Sequence, residues 1–185
     1  MARSRPLERL RRWAAAALLL VAAAASPAAR AERNTEIPNE RDIVCLALNV
    51  YHEARNQPFE GQLAVAHVTL NRMEDSLGSA SICDVVFRGR DFSWTSDPAK
   101  RRVKSAREAN AWETAQRVAR IALEDRDADP VGGSTFFHAI WVQPDWAATF
   151  VRVRQIGDHI FYARNKPSRV VVEGTGGQRA EVIAD

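Results

Sequence analysis

Apolar residues return at helical spacing through Ile43, Leu46, Ala47, Val50 and Ala54, and this stripe predicts a first helix opening at Asn39. Asn39 is a good N-cap, and Asp42 places an acid in the first turn, where the helix dipole favours one. At about 100° per residue, Glu53 falls beside Leu46 at the edge of the stripe, half dry, and not on the opposite face. Arg55 to Glu60 reads as a loop, with Pro58 suited to a helix start. Leu63, Ala64, Val65, Ala66, Val68, Leu70 and Met73 then go nearly all the way round the next helix, which marks it as the buried central one. After a loop at 74–80, Ser81 and Asp84 cap a short helix holding Ile82, Val85, Val86 and Phe87. Arg88 to Asp97 is a loop carrying Phe92-Ser93-Trp94-Thr95. Beyond it Ala109, Trp112, Ala115, Ala119, Ala122 and Leu123 form another amphipathic stripe.

The period changes after Asp129-Pro130 and Gly132-Gly133. Thr135 to Val142, Val151 to Arg154 and Ile160 to Tyr162 are short runs rich in β-branched and aromatic residues, and Gly157-Asp158 supplies a hairpin turn between the last two. Helices first and a small antiparallel sheet second predict an α+β fold. Residues 165–185 form a polar, Gly-rich tail around Val170-Val171-Val172, expected as an exposed strand or as disorder.

Charge changes the picture at the front of the chain. Arg3, Arg5, Arg9, Arg11 and Arg12 precede an apolar run from Trp13 to Ala25, and Ala29-Arg30-Ala31 offers a small-x-small cleavage site. This reads as a signal peptide over 1–31, cut before Glu32, with an uncleaved anchor as the alternative. Residues 32–40 then form a mobile mature N-terminus. The whole chain carries +3, but residues 1–31 hold six Arg and one Glu, so the remaining 154 residues carry −2. The basic balance belongs to targeting and does not argue for nucleic acid. Export also makes a Cys45–Cys83 disulfide the favoured reading over two buried thiols. Closing that loop stabilises by about 3–4 kcal/mol in the chain-entropy model.

The candidate chemistry narrows by elimination. His52-Glu53 opens like a zinc HExxH motif, but Asn56 stands where the second His belongs. His52, His67, His138 and His159 are widely spaced, no G-x-S-x-G occurs, and no glycine-rich phosphate cradle is present. What remains is Glu53, an acid at the margin of an apolar face, with aromatic loops available to line a groove. Such an acid keeps its proton near neutral pH and can donate it to a glycosidic oxygen. The aromatic loop residues read either as core plugs or as ligand platforms. The basic run Lys100, Arg101, Arg102, Lys104 and Arg107 reads either as a solvated helix start or as an attraction for an anionic polymer.

Two segments carry a resemblance: Cys45-Leu46-Ala47-Leu48-Asn49-Val50-Tyr51-His52-Glu53-Ala54-Arg55 and Gly61-Gln62-Leu63-Ala64-Val65-Ala66-His67-Val68-Thr69-Leu70-Asn71-Arg72. So do Ile82-Cys83-Asp84-Val85-Val86, Phe92-Ser93-Trp94, Phe137-His138-Ala139, Pro144-Asp145-Trp146 and Ile156-Gly157-Asp158-His159-Ile160-Phe161-Tyr162. Together they resemble the SleB-like cell-wall hydrolase family over residues 41–164. The resemblance implies a lysozyme-like catalytic domain that cleaves the β-1,4 bond between N-acetylmuramic acid and N-acetylglucosamine by lytic transglycosylation. It implies Glu53 as the acid and then the base. It places Tyr51, Asn71, Phe92, Ser93, Trp94, His138, Trp146 and Tyr162 as candidate substrate-binding residues. His138 and His159 read equally as structural histidines, and Trp146 and Phe161 read more readily as core. The family commonly has Glu-Ala-Arg-Gly-Glu where this chain has Asn56 and Gln57 in the last two places. That departure weakens a two-carboxylate hydrolysis and leaves a one-acid scheme intact.

Peptidoglycan glycan strands are thus the expected partner, in the periplasm or cell envelope. No cofactor, no metal, no nucleic acid and no stable membrane insertion after signal cleavage are expected, and the chain is expected to be a monomer. The rival readings are a hydrolytic muramidase, a wall-binding protein that kept the fold without catalysis, and a wall amidase, which the missing metal motif disfavours.

Overall fold

A computed structural model describes residues 39–76, 81–88, 91–103 and 108–164, and the backbone of 170–173 and 179–182. The expected signal peptide and most of the mature N-terminus lie outside the described residues. So do Lys104 and Arg107 of the basic run and most of the tail.

Four helices come first: α1 (Glu40–Ala54), α2 (Phe59–Asp75), α3 (Ile82–Arg88) and α4 (Ala109–Glu124). The Asn39 side chain accepts from the Arg41 amide at 3.0 Å, so α1 begins at its predicted cap. In α3 the Asp84 amide donates to Ser81 Oγ while the Ser81 amide donates to Asp84 Oδ2, a reciprocal box that satisfies two otherwise orphaned amides. α2 runs through Asp75, so the expected loop begins slightly later than its pattern suggested. Lys100 and Arg101 lie in a short 3-10 turn, Pro98–Arg101, before α4 and not in its first turn.

Three strands follow: β1 (Phe136–Ala139), β2 (Val151–Ile156) and β3 (His159–Ala163). They form an antiparallel sheet in the order β1-β3-β2. β1 is shorter than the run from 135 to 142 that its composition suggested. The turn between β2 and β3 has Gly157 at φ 55°, and a Cβ there would stand 2.5 Å from Gln57 Oε1. In the tail, β4 (Val170–Glu173) and β5 (Arg179–Val182) pair as an antiparallel hairpin, which meets the strand expectation.

α2 is buried on two sides. Ala66 and Leu70 join Leu46 and Val50 of α1, Ile82 and Val86 of α3, and Val118, Ala119 and Ala122 of α4. Ala64, Val65 and Val68 pack instead with Val131, Ile156 and Phe161, under the sheet. Each fully buried aliphatic side chain here contributes about 1.5–3 kcal/mol of transfer free energy. Cys45 and Cys83 form the expected disulfide within the first core and tie α1 to α3. Among the described residues no helix is long and apolar enough to cross a membrane.

Candidate active site

Glu53 sits in the last turn of α1, half-buried, as its place at the stripe edge predicts. Burial holds its carboxyl proton and raises the pKa from 4.5 to about 7, and only the Arg72 cation opposes that rise. Among the described residues no carboxylate is one of the charges that shift Glu53.

Arg72, near the end of α2, is itself only 18 % exposed. Its Nε donates to the Thr135 carbonyl at 2.7 Å, its guanidinium lies 4.9 Å above the Phe92 ring, and its Nη1 stands 3.9 Å from Asp91. A fixed cation next to a carboxylic acid favours the carboxylate left when the proton departs. Sequence reasoning passed over Arg72 as a helix-end residue. The available signal was a cation two residues beyond the buried Leu70, on the helix read as the central one.

The predicted cleft residues divide into two groups. His138, Trp146 and Tyr162 come together. Phe136 pairs with Tyr162 and His138 with Ile160 across β1 and β3, so all four share one sheet face. His138 Nδ1 donates to the Ala139 carbonyl at 2.9 Å, which leaves Nε2 to accept from the Tyr162 hydroxyl at 3.0 Å. Trp146 meets both rings edge-on, at 5.6 Å and 5.5 Å, and Phe150 stacks on Phe136 at 4.3 Å. The opposite face carries Phe137 and Phe161 into the core, so Phe161 is core and Trp146 is not. His159 is buried on that core side, edge-on to Phe137, with its pKa lowered by burial.

Tyr51, Phe92, Trp94 and Asn71 are placed otherwise, and the reading of them as groove-lining side chains needs correction. Tyr51 is 2 % exposed and edge-on to Trp112 of α4, and burial first, then Glu108, raises its pKa. Phe92 is 2 % and Trp94 4 % exposed. Trp94 Nε1 donates to Asn49 Oδ1 at 3.1 Å, and its ring stacks on His52 at 4.5 Å. The Asn71 amide donates to both Asp129 Oδ2 and the Ser134 carbonyl, so it fastens the 129–134 loop to α2. Of the loop residues in this group, only Ser93 is exposed. The core-plug reading of Phe92 and Trp94 therefore holds.

Gln57 resolves the departure after Glu53. Its side chain turns to the β2–β3 hairpin, where Oε1 accepts from the Asp158 amide at 2.9 Å and Nε2 donates to Asp158 Oδ2 at 3.1 Å. The second acid of the family pattern is replaced here by a clamp that must both donate and accept. Among the described residues, no group of three or more His, Cys, Asp or Glu could hold a metal ion.

Residues 56–162 fit the model of the Cell Wall Hydrolase family. The chain belongs to that family. Among its relatives is the spore cortex-lytic enzyme of Oceanobacillus iheyensis, 33% identical over 126 residues, or 66% of this chain and 42% of the relative. The spore cortex-lytic enzyme of Bacillus subtilis (strain 168) is 32% identical over 130 residues, or 66% of this chain and 38% of that protein. The chain thus spans about two fifths of the length of these curated relatives. The catalytic domain of the Bacillus cereus SleB protein superposes with a TM-score of 0.57 at 28% identity, covering 68% of this chain and 91% of that one. The catalytic domain of the germination-specific lytic transglycosylase SleB from Bacillus anthracis superposes at 0.56, also at 28% identity, covering 68% and 96%. The α+β arrangement is therefore that of a SleB catalytic domain. The family region begins three residues beyond Glu53, so the role of that residue rests on its own surroundings.

Proposed function

We propose that this protein is an exported lytic transglycosylase that cuts the β-1,4 bond from N-acetylmuramic acid to N-acetylglucosamine in peptidoglycan, with Glu53 as its single acid and base. The observation that carries the proposal is a half-buried Glu whose pKa of about 7 leaves much of it protonated at neutral pH, with Arg72, and no second carboxylate among the described residues, acting on it. Glu53 gives its proton to the leaving glycosidic oxygen, and Arg72 favours the carboxylate so formed. The carboxylate then takes the proton of the muramyl 6-hydroxyl as that oxygen closes on the anomeric carbon. The acid is regenerated and a 1,6-anhydro end remains. General acid help of this kind is worth roughly 10²–10⁴-fold. The part-buried Phe136, His138 and Trp146, backed by the buried Tyr162, offer flat apolar surface for sugar rings, and Ser93 an exposed hydroxyl. Membership of a cell wall hydrolase family and the lytic transglycosylase activity of the Bacillus anthracis relative support this reading, and a peptidoglycan substrate fits a protein of the envelope.

Mass spectrometry of digested sacculi tests it. Muropeptides lighter by one water than reducing-end products are expected, and Glu53→Gln is expected to release none. Reducing ends would replace the transglycosylase with a muramidase. Retention of sacculi with no soluble product from the native protein would replace the enzyme with a wall-binding protein.

A further inference from the structure

An open depression of about 430 Å³ lies between the end of α2, α3 and the start of β1. Its wall carries three arginines and three aspartates: Arg72, Arg88, Arg164, Asp75, Asp84 and Asp91. Arg88 is paired closely with Asp84, at 3.1 Å. The other two pairs stand at 3.9 Å for Arg72–Asp91 and 4.0 Å for Arg164–Asp75, beyond hydrogen-bond reach. The Arg164 guanidinium instead lies 5.3 Å from the Phe136 ring centre. The Arg164–Asp75 pair joins two exposed side chains, and the Arg72–Asp91 pair joins an exposed aspartate to a largely buried arginine; pairs this loose hold little free energy on their exposed side, so a ligand that brings both signs of charge exchanges with Arg164, Asp75 and Asp91 at low cost. Because the wall is balanced in charge, a simple polyanion gains little there.

The depression also adjoins the site. Arg72 is the residue whose charge reaches Glu53, and Thr135 and Phe136 of the same wall lead into the aromatic face of β1. We propose that this depression is a subsite for the peptide stem of the substrate, a short zwitterionic peptide whose carboxylates meet the arginines and whose diamino-acid ammonium meets the aspartates. The proposal rests on the peptidoglycan reading above and deepens it: the protein selects muramyl residues that still carry their stems and discriminates against bare glycan.

The test uses the full chain with two substrates, solubilised glycan strands bearing stems and the same strands stripped by an amidase. A synthetic stem tetrapeptide serves as a binding probe in calorimetry. Charge-assisted contacts of this number predict a kcat/KM about tenfold or more higher on stem-bearing strands. Arg88→Ala and Arg164→Ala are each expected to bring that ratio towards one and to weaken tetrapeptide binding. Arg120→Ala, which breaks the distant pair with Glu40, is expected to leave the ratio as in the native protein. Equal kcat/KM on the two substrates, or no saturable tetrapeptide binding by the native protein, overturns the subsite. Cleavage of neither substrate sinks the glycosidase reading instead, and tetrapeptide binding then decides the subsite by itself.

Discussion

Replacing Glu53 by Gln is expected to stabilise the protein above about pH 4.5, and in full only above about pH 7. The folded chain holds the Glu53 proton up to about pH 7, whereas the unfolded chain releases it near 4.5. Below about 4.5 both states are protonated and burial of the acid is without charge cost. Between 4.5 and 7 the unfolded state ionises first, and stability falls as pH rises. Above 7 the fold contains a poorly solvated carboxylate, at a cost of about 3 kcal/mol relative to an unshifted Glu. The amide of Gln has no such cost. The variant is therefore expected to gain up to about 3 kcal/mol at pH 8, or roughly 6–12 °C in Tm for a domain of this size, and about nothing at pH 4. Burial lowers the pKa of His52, His67 and His159, which removes stability as pH falls through the ordinary histidine range. Those contributions are common to both proteins and cancel in the difference. Urea unfolding of both proteins from pH 4 to 8 measures it. Parallel stability curves across that range would refute the raised pKa, and with it the reason for choosing Glu53 as the acid.

Activity should follow the same proton: the alkaline limb of kcat/KM is expected to fall with an apparent pKa near 7, and a rate flat to pH 9 would contradict an acid of that pKa. Gln57→Glu would set two carboxylates 3.1 Å apart at the hairpin clamp, and a loss of roughly 1–3 kcal/mol at pH 7 is expected, relieved in the double variant with Asp158→Asn; calorimetry on the pair checks both halves. Asn49→Leu leaves the Trp94 indole N–H without its buried acceptor and takes the Asn49 donor from Thr69 Oγ1, which keeps its own bond to the Val65 carbonyl, and chemical denaturation should show a loss of about 1–3 kcal/mol; an unchanged midpoint would mean that the network is dispensable.

What the sequence determined by itself is mostly local. The α1 stripe, the Asn39 cap, the Ser81–Asp84 box and the Gly157 turn each depend on residues within a turn or two of one another. Hydrophobic period and hydrogen-bond geometry are legible at that range. The half-dry place of Glu53 was readable for the same reason, since helical phase alone puts it beside Leu46. The cysteine pairing followed from their number and the export signal expected at the front of the chain. Tertiary structure decided the rest. Gln57 finds Asp158 at a separation of 101 residues, and Asn71 finds the Asp129 loop 58 residues on. Nothing in the local pattern around either residue encodes such a partner. Phe92 and Trp94 looked alike as groove walls or as core plugs, because a short aromatic run has no period to tell the two apart; the buried amide of Asn49 draws Trp94 inward. Arg72 owes its importance to the crossing of α2 with α1 and to the loss of water around both charges. Desolvation depends on every neighbour at once, so the chemistry of Glu53 became definite only when the chain had folded around it.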